Sequence, residues 1–365
     1  VSQLKLGVMT LYLNDQKQID EMPYIRRLLI ESKRMGIDAF LFTPEDVDHE
    51  RARILALRYD AENRRWKRVW TDFPDMIFDR CRYQPTERFK QLGLFRSRYP
   101  KLNYLNRPLS NKWRIHQLFS QNPAISPHLP DTKLFMEGRG LLSFLAKHRV
   151  VFLKPVNGTG GRGILRIEKL DNGMYLIQGR DAHRRIIPEQ TLSMRAMLRK
   201  AYSWVYGRVY LMQQGIDIML NNRRVHDFRM LVQKNGKGEW EVTGCAGRIG
   251  AARSITSNLH GGGRAVEMEK LLRQRFASDK TIENIRLMAE RLAMDIVEQL
   301  EQEYGRLCEL ALDLAVDPEG KVWLIEINPK PGRNIFLQIN NLEAYRTAVI
   351  RPLEYAKWLH KQLQA

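Results

Sequence analysis

Hydrophobic and polar positions along this chain change period several times, and those changes outline its organisation. Residues 4–12 read as a strand, 21–35 as a helix closed by Gly36, and 39–43 and 75–79 as two further strands. This alternation predicts a small parallel sheet with covering helices. Residues 85–108, rich in arginine and turn formers, read as an irregular connection. Far downstream, Ile285, Met288, Leu292, Ile296 and Leu300 recur at helical spacing, and Gly305 follows as a stop. That stripe is expected in the core. A last helix, amphipathic and basic, is expected over about 342–362. Between these helices, two apolar strands flank Asp317-Pro318-Glu319-Gly320, a strong turn signal. In the second strand, Val322, Trp323, Leu324, Ile325 and Ile327 form a nearly continuous apolar run, expected to be buried on both faces. No internal repeat or low-complexity tract interrupts the pattern.

Two segments carry chemistry. Residues 150–170 read VVFLKPVNGTGGRGILRIEKL, a strand ending at Lys154, a loop holding Gly158, Gly160, Gly161 and Gly163, and a second strand. Glycines let backbone N–H groups approach a ligand closely, and Lys154 adds a point charge, so the pair suits the phosphates of a nucleotide. A dinucleotide fingerprint would open a helix, yet residues 164–170 alternate as a strand. No Gly-Lys-Ser/Thr run exists, which excludes a P-loop. A glycine flap over phosphates remains, with an ordinary glycine-rich hairpin as its bland counterpart. In the second segment, Glu326 and Asn328 share one strand face, and Asp313 on the partner strand faces Glu326 if the register permits. Two carboxylates and an amide oxygen make a hard-donor set suited to Mg²⁺ bridging nucleotide phosphates.

These segments, in this order, resemble the ATP-grasp superfamily of ATP-dependent carboxylate–amine ligases, and most of all its YheC/YheD-type endospore coat-associated group. The intervening stretches match too. YLMQQGID at 210–217 is similar to the strand and hinge that hold adenine, and HDFRMLVQ at 226–233 to the Asp-x-Arg strand. Residues 242–263 carry an arginine, an asparagine and a glycine run in family order, and Asn111-Lys112-Trp113 resembles the entry into the fold. The resemblance spans about residues 110–335. It implies an α/β (α+β) ATP-grasp fold, two α+β subdomains clasping ATP behind a small Rossmann-like N-terminal α/β domain. The expected units are 1–110, a lid over 111–205 with the glycine loop, and 206–365 with the Mg²⁺ site and the last helix. It further implies roles. Lys112 and Lys154 hold phosphates under the glycine loop. Gln213, Gln214 and Gly215 meet adenine through backbone groups, and Asp217 takes ribose hydroxyls. Asp313, Glu326 and Asn328 bind one or two Mg²⁺ ions. Arg229, Arg248 and Asn258 are the expected catalytic residues, the arginines clamping the transferring phosphoryl group or the substrate carboxylate. The bland readings are surface arginines and a solvated aspartate; His226 and His260 are read as neighbours. A protein kinase also has a glycine flap, but there the lysine follows it and further motifs absent here are required.

Composition changes the picture in one respect. Hydrophobic residues at 44% suit a globular chain long enough for two or three domains. Cys81, Cys245 and Cys308 lack metal-ligand spacing and read as buried thiols of a reducing, cytoplasmic compartment. No apolar run has membrane-span length, and no signal peptide opens the sequence. The net charge of +19, from 60 Lys and Arg against 41 acids, calls for an anionic partner. Three readings compete: a ligase drawing in anionic small-molecule or peptide substrates, a protein adhering to a spore-coat or envelope surface, and a nucleic-acid binder. The arginines are scattered and no nucleic-acid motif stands out, which disfavours the third. The first is the expectation, with substrate and amine unspecified; a non-catalytic ATP-binding coat protein is its alternative.

Overall fold

The computed structural model describes residues 3–83, 86–158, 160–183, 185–252, 254–257, 259 and 262–364. Three sheets organise them. The first is built from β1 (Lys5–Met9), α1 (Met22–Arg34), β2 (Asp38–Phe42), β3 (Val47–Asp48), β4 (Arg53–Asp60), β5 (Arg65–Asp72), β6 (Met76–Asp79), α2 (Glu87–Arg98) and β7 (Asn103–Tyr104). Its order is β3-β4-β2-β1-β6-β7, with β5 on β4. Strands β1, β2, β6 and β7 pair in parallel, but β4 runs antiparallel to β2, β3 and β5, so the sheet is mixed rather than parallel as expected. The hairpin escapes a pattern search because β5 is an edge strand, exposed at most positions, and carries no apolar alternation. The expected irregular tract at 85–108 is also corrected. It contains α2, whose Phe89, Leu92 and Phe95 recur at helical spacing and join the core over this sheet, while Lys90, Gln91 and Leu94 between them are exposed and the flanking Arg88 and Arg96 pair with Asp15, Glu45 and Asp79.

The second sheet follows α3 (Lys112–Ser120) and comprises β8 (Thr132–Leu134), α4 (Gly138–Lys147), β9 (Val150–Pro155), β10 (Ile164–Lys169), β11 (Tyr175–Arg180), β12 (Ile186–Leu192), α5 (Met194–Val205) and β13 (Tyr210–Gln214). Its order is β12-β11-β10-β9-β13-β8, so Tyr210–Gln214 belongs to this sheet and not to the one after it. Leu141, Phe144, Met197 and Ala201 of α4 and α5 close a core of their own with Val151, Leu153, Leu165 and Ile167.

The third sheet holds β14 (His226–Lys234), β15 (Trp240–Ile249), β16 (Arg264–Glu267), α6 (Met268–Leu272), α7 (Asp279–Tyr304), β17 (Glu309–Val316), β18 (Val322–Asn328), α8 (Asn334–Gln338) and α9 (Leu342–Gln364). Its order is β16-β15-β14-β17-β18. On α7, Ile285, Leu292, Ile296 and Leu300 are buried as expected, but Met288 points outward and Ala289 takes its place. Strand β18 is an edge, with only Val322 and Leu324 fully buried, which corrects the expectation of burial on both faces. Helix α9 packs on α1, and its Val349, Leu353, Tyr355 and Leu359 complete the core beneath the first sheet. Pro352 sits inside α9 and has no N–H to give to the carbonyl four residues back. That carbonyl, of Ala348, instead accepts from Gln233 Nε2 and Arg333 Nε, each at 3.0 Å.

Where the first and third sheets meet, a buried charge network forms. Glu309, fully buried, accepts from Arg80 at 2.7 Å and from Arg333, and Gln233 Nε2 adds a third bond at 2.9 Å. Arg80 also binds Glu21 and the carbonyl of Pro331, each at 2.7 Å. No helix among the described residues is long and apolar enough to cross a membrane. Cys81 and Cys308 are buried, Cys245 half-buried, and all three are free thiols.

Candidate active site

Strand register assembles the site across the third sheet. Arg229 on β14 stands opposite Asp313 on β17, Asp227 opposite Arg248 on β15, and Asp313 opposite Glu326 on β18. A bulge in β18 at Ile325 permits the last pairing. It lets Leu324 face the core beside Leu314 while Glu326, two residues on, faces the other way beside Asp313.

Asp313 is the hub. Arg229 Nε and Nη2 reach its two oxygens at 2.5 and 2.9 Å, Arg248 Nη2 lies 3.0 Å from Oδ2, and Asn328 Nδ2 donates to Oδ2 at 3.3 Å. Burial would raise the Asp313 pKa, but the Arg229 and Arg248 guanidinium groups outweigh it and hold the carboxyl below its usual range. Arg248 also clasps Asp227 with both ends of its fork, Nε at 2.7 Å. Neither arginine is a surface residue, and their fork geometry matches the carboxylates they hold.

The second sheet supplies the opposing wall. Lys154, at the end of β9, donates to Gln213 Oε1 on β13 at 2.5 Å, and Gln213 Nε2 is tied to Thr132 Oγ1 at 3.3 Å. Burial first, then the charge of Lys112, lowers the Lys154 pKa to about 8, while Glu326, Asp313 and Asp227 pull it back. Those influences place the two lysines and three carboxylates in one electrostatic neighbourhood. Lys112 begins α3, capped by Asn111, whose side chain accepts from Arg114 N, and its Nζ lies 3.1 Å from Glu326 Oε1. Beyond β9, Gly160, Gly161 and Gly163 have φ of 67°, 71° and 67°, a left-handed run that side-chain-bearing residues resist. A Cβ on Gly158 would lie 2.6 Å from Pro155 Cγ, so the loop folds tightly against its own strand.

Among the expected adenine contacts, Gln214 N and Gly215 N are already bonded to the carbonyls of Asp131 and Val150, each at 2.8 Å. Asp217 is exposed and accepts from Met219 N. Burial drives the His226 pKa down to about 4, and its Nδ1 binds Ile218 O, which makes it a neutral structural residue. Asn258 and His260, like Thr159 of the glycine loop, lie outside the described residues. The Asp227 role escaped the sequence reading, although the HDFR stretch was its signal; so did the Lys112–Glu326 pair, which joins residues far apart in the chain and has none.

The donor set tests the fit of a divalent cation. Among the described residues no three His, Cys, Asp or Glu side chains gather as a preformed metal site. Asp313, Glu326 and Asn328 nevertheless offer two carboxylates and an amide, and the Asn328 bond through Nδ2 leaves its oxygen free. Arg229, Arg248, Lys112 and Lys154 surround three carboxylates, so an anionic ligand with its cation fits the local charge.

Lys154 yields a first expected result. Its ammonium is lost as pH rises through about 8, so affinity for a phosphate ligand should fall between pH 7 and 9. Lys154→Arg, always charged, should flatten the profile in calorimetry; a slope that persists in the variant would point to another group.

A family profile described as YheC/D like ATP-grasp matches residues 101–359. The endospore coat-associated protein YheC of Bacillus subtilis (strain 168) is 29% identical over 345 residues, covering 92% of this chain and 91% of that protein. YheD of the same organism is 27% identical over 351 residues, covering 94% and 75%. The crystal structure of D-cycloserine synthetase DcsG superposes with a TM-score of 0.55 at 13% identity, over 98% of this chain and 99% of that one.

Proposed function

The chain belongs to the YheC/D-like ATP-grasp family, and on that premise we propose that it is an ATP-dependent carboxylate–amine ligase working through an acylphosphate. The observation that carries this reading is the convergence of Lys112, Lys154, Arg229 and Arg248 with Asp313, Glu326 and Asn328 between two sheets. A carboxylate is a poor electrophile because oxide would have to leave. One of its oxygens attacks the ATP γ-phosphorus, the bond to the bridging oxygen breaks, and ADP departs. An amine then attacks the acyl carbon and phosphate leaves, giving the amide. Phosphoryl transfer of this kind depends on positioning and charge neutralisation. Lys154 and Lys112 hold the α- and β-phosphates, and the glycine loop lends backbone N–H groups. A divalent cation, held by Asp313, Glu326 and the Asn328 oxygen, supplies neutralisation of phosphate charge when bound. Arg229 and Arg248 give up part of their hold on Asp313 to meet the γ-phosphoryl group or the substrate carboxylate. Asp227 keeps Arg248 in place while they do so.

Calorimetry with ATP should show binding that weakens when Mg²⁺ is removed. A flat titration of folded protein in both conditions would sink the reading. The substrates are sought by phosphate and ADP release against amino-acid, peptide and wall-precursor pools, with mass spectrometry of the product.

A second reading is an ATP-binding protein of the spore coat that ligates nothing. It is favoured by the names of the two Bacillus subtilis relatives, both endospore coat-associated proteins, and by the full set of bonds on Asp313. A double variant of Lys154 and Glu326 separates the two. If it restored every property of a deletion strain, the scaffold reading would stand. In either reading the chain works inside the cell, with the coat or another anionic surface as its partner.

A further inference from the structure

The outer end of the second sheet carries an apolar patch with no role in the site above. Tyr206 is 89% exposed, Met136 79%, Val209 63% and Tyr202 46%. The fold gathers them. Phe135 N bonds to Tyr210 O at 2.8 Å, extending the β8–β13 ladder and setting Met136 opposite Val209. The Tyr202 hydroxyl accepts from Gly138 N at 2.6 Å, and Tyr206 lies one helical turn beyond it.

Charge around the patch is one-sided. From Met194 to Val209 the sequence holds Arg195, Arg199, Lys200 and Arg208 and no acid. Lys133 and Arg139 flank Met136, where Glu137 is the single opposing charge. None of these six cations makes an ion pair among the described residues, although most arginines of the first and third sheets do. Unpaired cations ringing exposed apolar and tyrosyl side chains suit a surface with anionic headgroups above hydrocarbon. The patch lies where the end of α5 and the turn into β13 meet edge strand β8.

We propose that this corner of the second sheet docks on an anionic lipid bilayer, with Tyr206, Val209 and Met136 entering the headgroup region and Lys133, Arg139, Arg199 and Arg208 meeting the phosphates. Val209 O accepts from Val156 N at 3.0 Å, so the docked corner adjoins the first residue after β9 and the glycine loop that follows.

The test is sedimentation of the full chain with phosphatidylglycerol vesicles and, separately, phosphatidylcholine vesicles. The parent should pellet with the first and not the second. The Tyr206→Ser/Val209→Ser variant should lose most of that binding while its circular dichroism is unchanged, since both side chains are exposed. Arg139→Gln and Arg208→Gln should each weaken binding roughly fivefold. A parent that stays in solution with phosphatidylglycerol overturns the proposal. So does a serine variant that binds as the parent does, because attachment would then be charge alone and an anionic polymer would serve equally well.

Discussion

Glu326→Gln should leave the chain folded and reduce ATP-dependent phosphate release by roughly 10²–10³-fold, the scale of losing one preorganised electrostatic contact in a phosphoryl-transfer site. The side chain is partly exposed, and among the described residues it pairs only with Lys112, at 3.1 Å, so the core does not depend on it. Glutamine keeps the shape and removes one negative charge from a set in which Asp313 is already shared between two arginines. Nucleotide affinity without Mg²⁺ should change little, because the phosphates are held from the lysine side; with Mg²⁺ it should fall. Steady-state kinetics beside circular dichroism decide the matter. A variant that turns over at the parental rate, in an assay where the parent is active, removes Glu326 from the site.

The largest effect on stability is expected at Glu309→Gln, far from the nucleotide. The carboxylate is completely buried and neutralises Arg80 and Arg333, both also buried. Removing its charge leaves Arg333 on the carbonyls of Pro331 and Ala348 and Arg80 on Glu21, which Arg82 also binds at 2.6 Å. Uncompensated buried charge costs about 3–5 kcal/mol. Because Arg80 belongs to the first sheet and Arg333 follows β18, the loss should loosen the junction between the two sheets together with the core that α9 shares. Urea unfolding should show the midpoint fall. An unchanged midpoint would mean that water or the carbonyls of Pro331 and Ala348 carry the arginines unaided.

What the sequence revealed and what it hid divide along contact distance. The glycine loop, the β17–β18 hairpin and the arginines of β14 and β15 are local patterns, and each was legible because period-2 alternation and turn chemistry fix the face that a residue occupies. Edge strand β5 was missed because its exposed, arginine-rich surface carries little apolar periodicity, and helix α2 because its short Phe89, Leu92 and Phe95 stripe is embedded among arginines and turn formers. The network of Glu21, Arg80, Glu309 and Arg333 joins residues from both ends of the chain, and pattern alone cannot pair them. Glu309 did carry a signal, since an acid opening a strand buried at all eight positions needs a cationic partner. Register decided the rest. Only the bulge in β18 brings Glu326 beside Asp313, and a bulge has no reliable sequence mark here.

Pro352 bears on how this chain would answer to engineering. A proline within a long helix is an obvious target for thermostabilisation, since alanine there is worth about 3 kcal/mol on helix propensity. Here the replacement would restore an N–H that competes for the Ala348 carbonyl with Gln233 and with Arg333, the guanidinium that also serves Glu309. The gain within α9 would be offset by donors left wanting in the dry interior. A consensus-minded redesign would therefore read as a defect the residue that makes room for the junction's polar bonds.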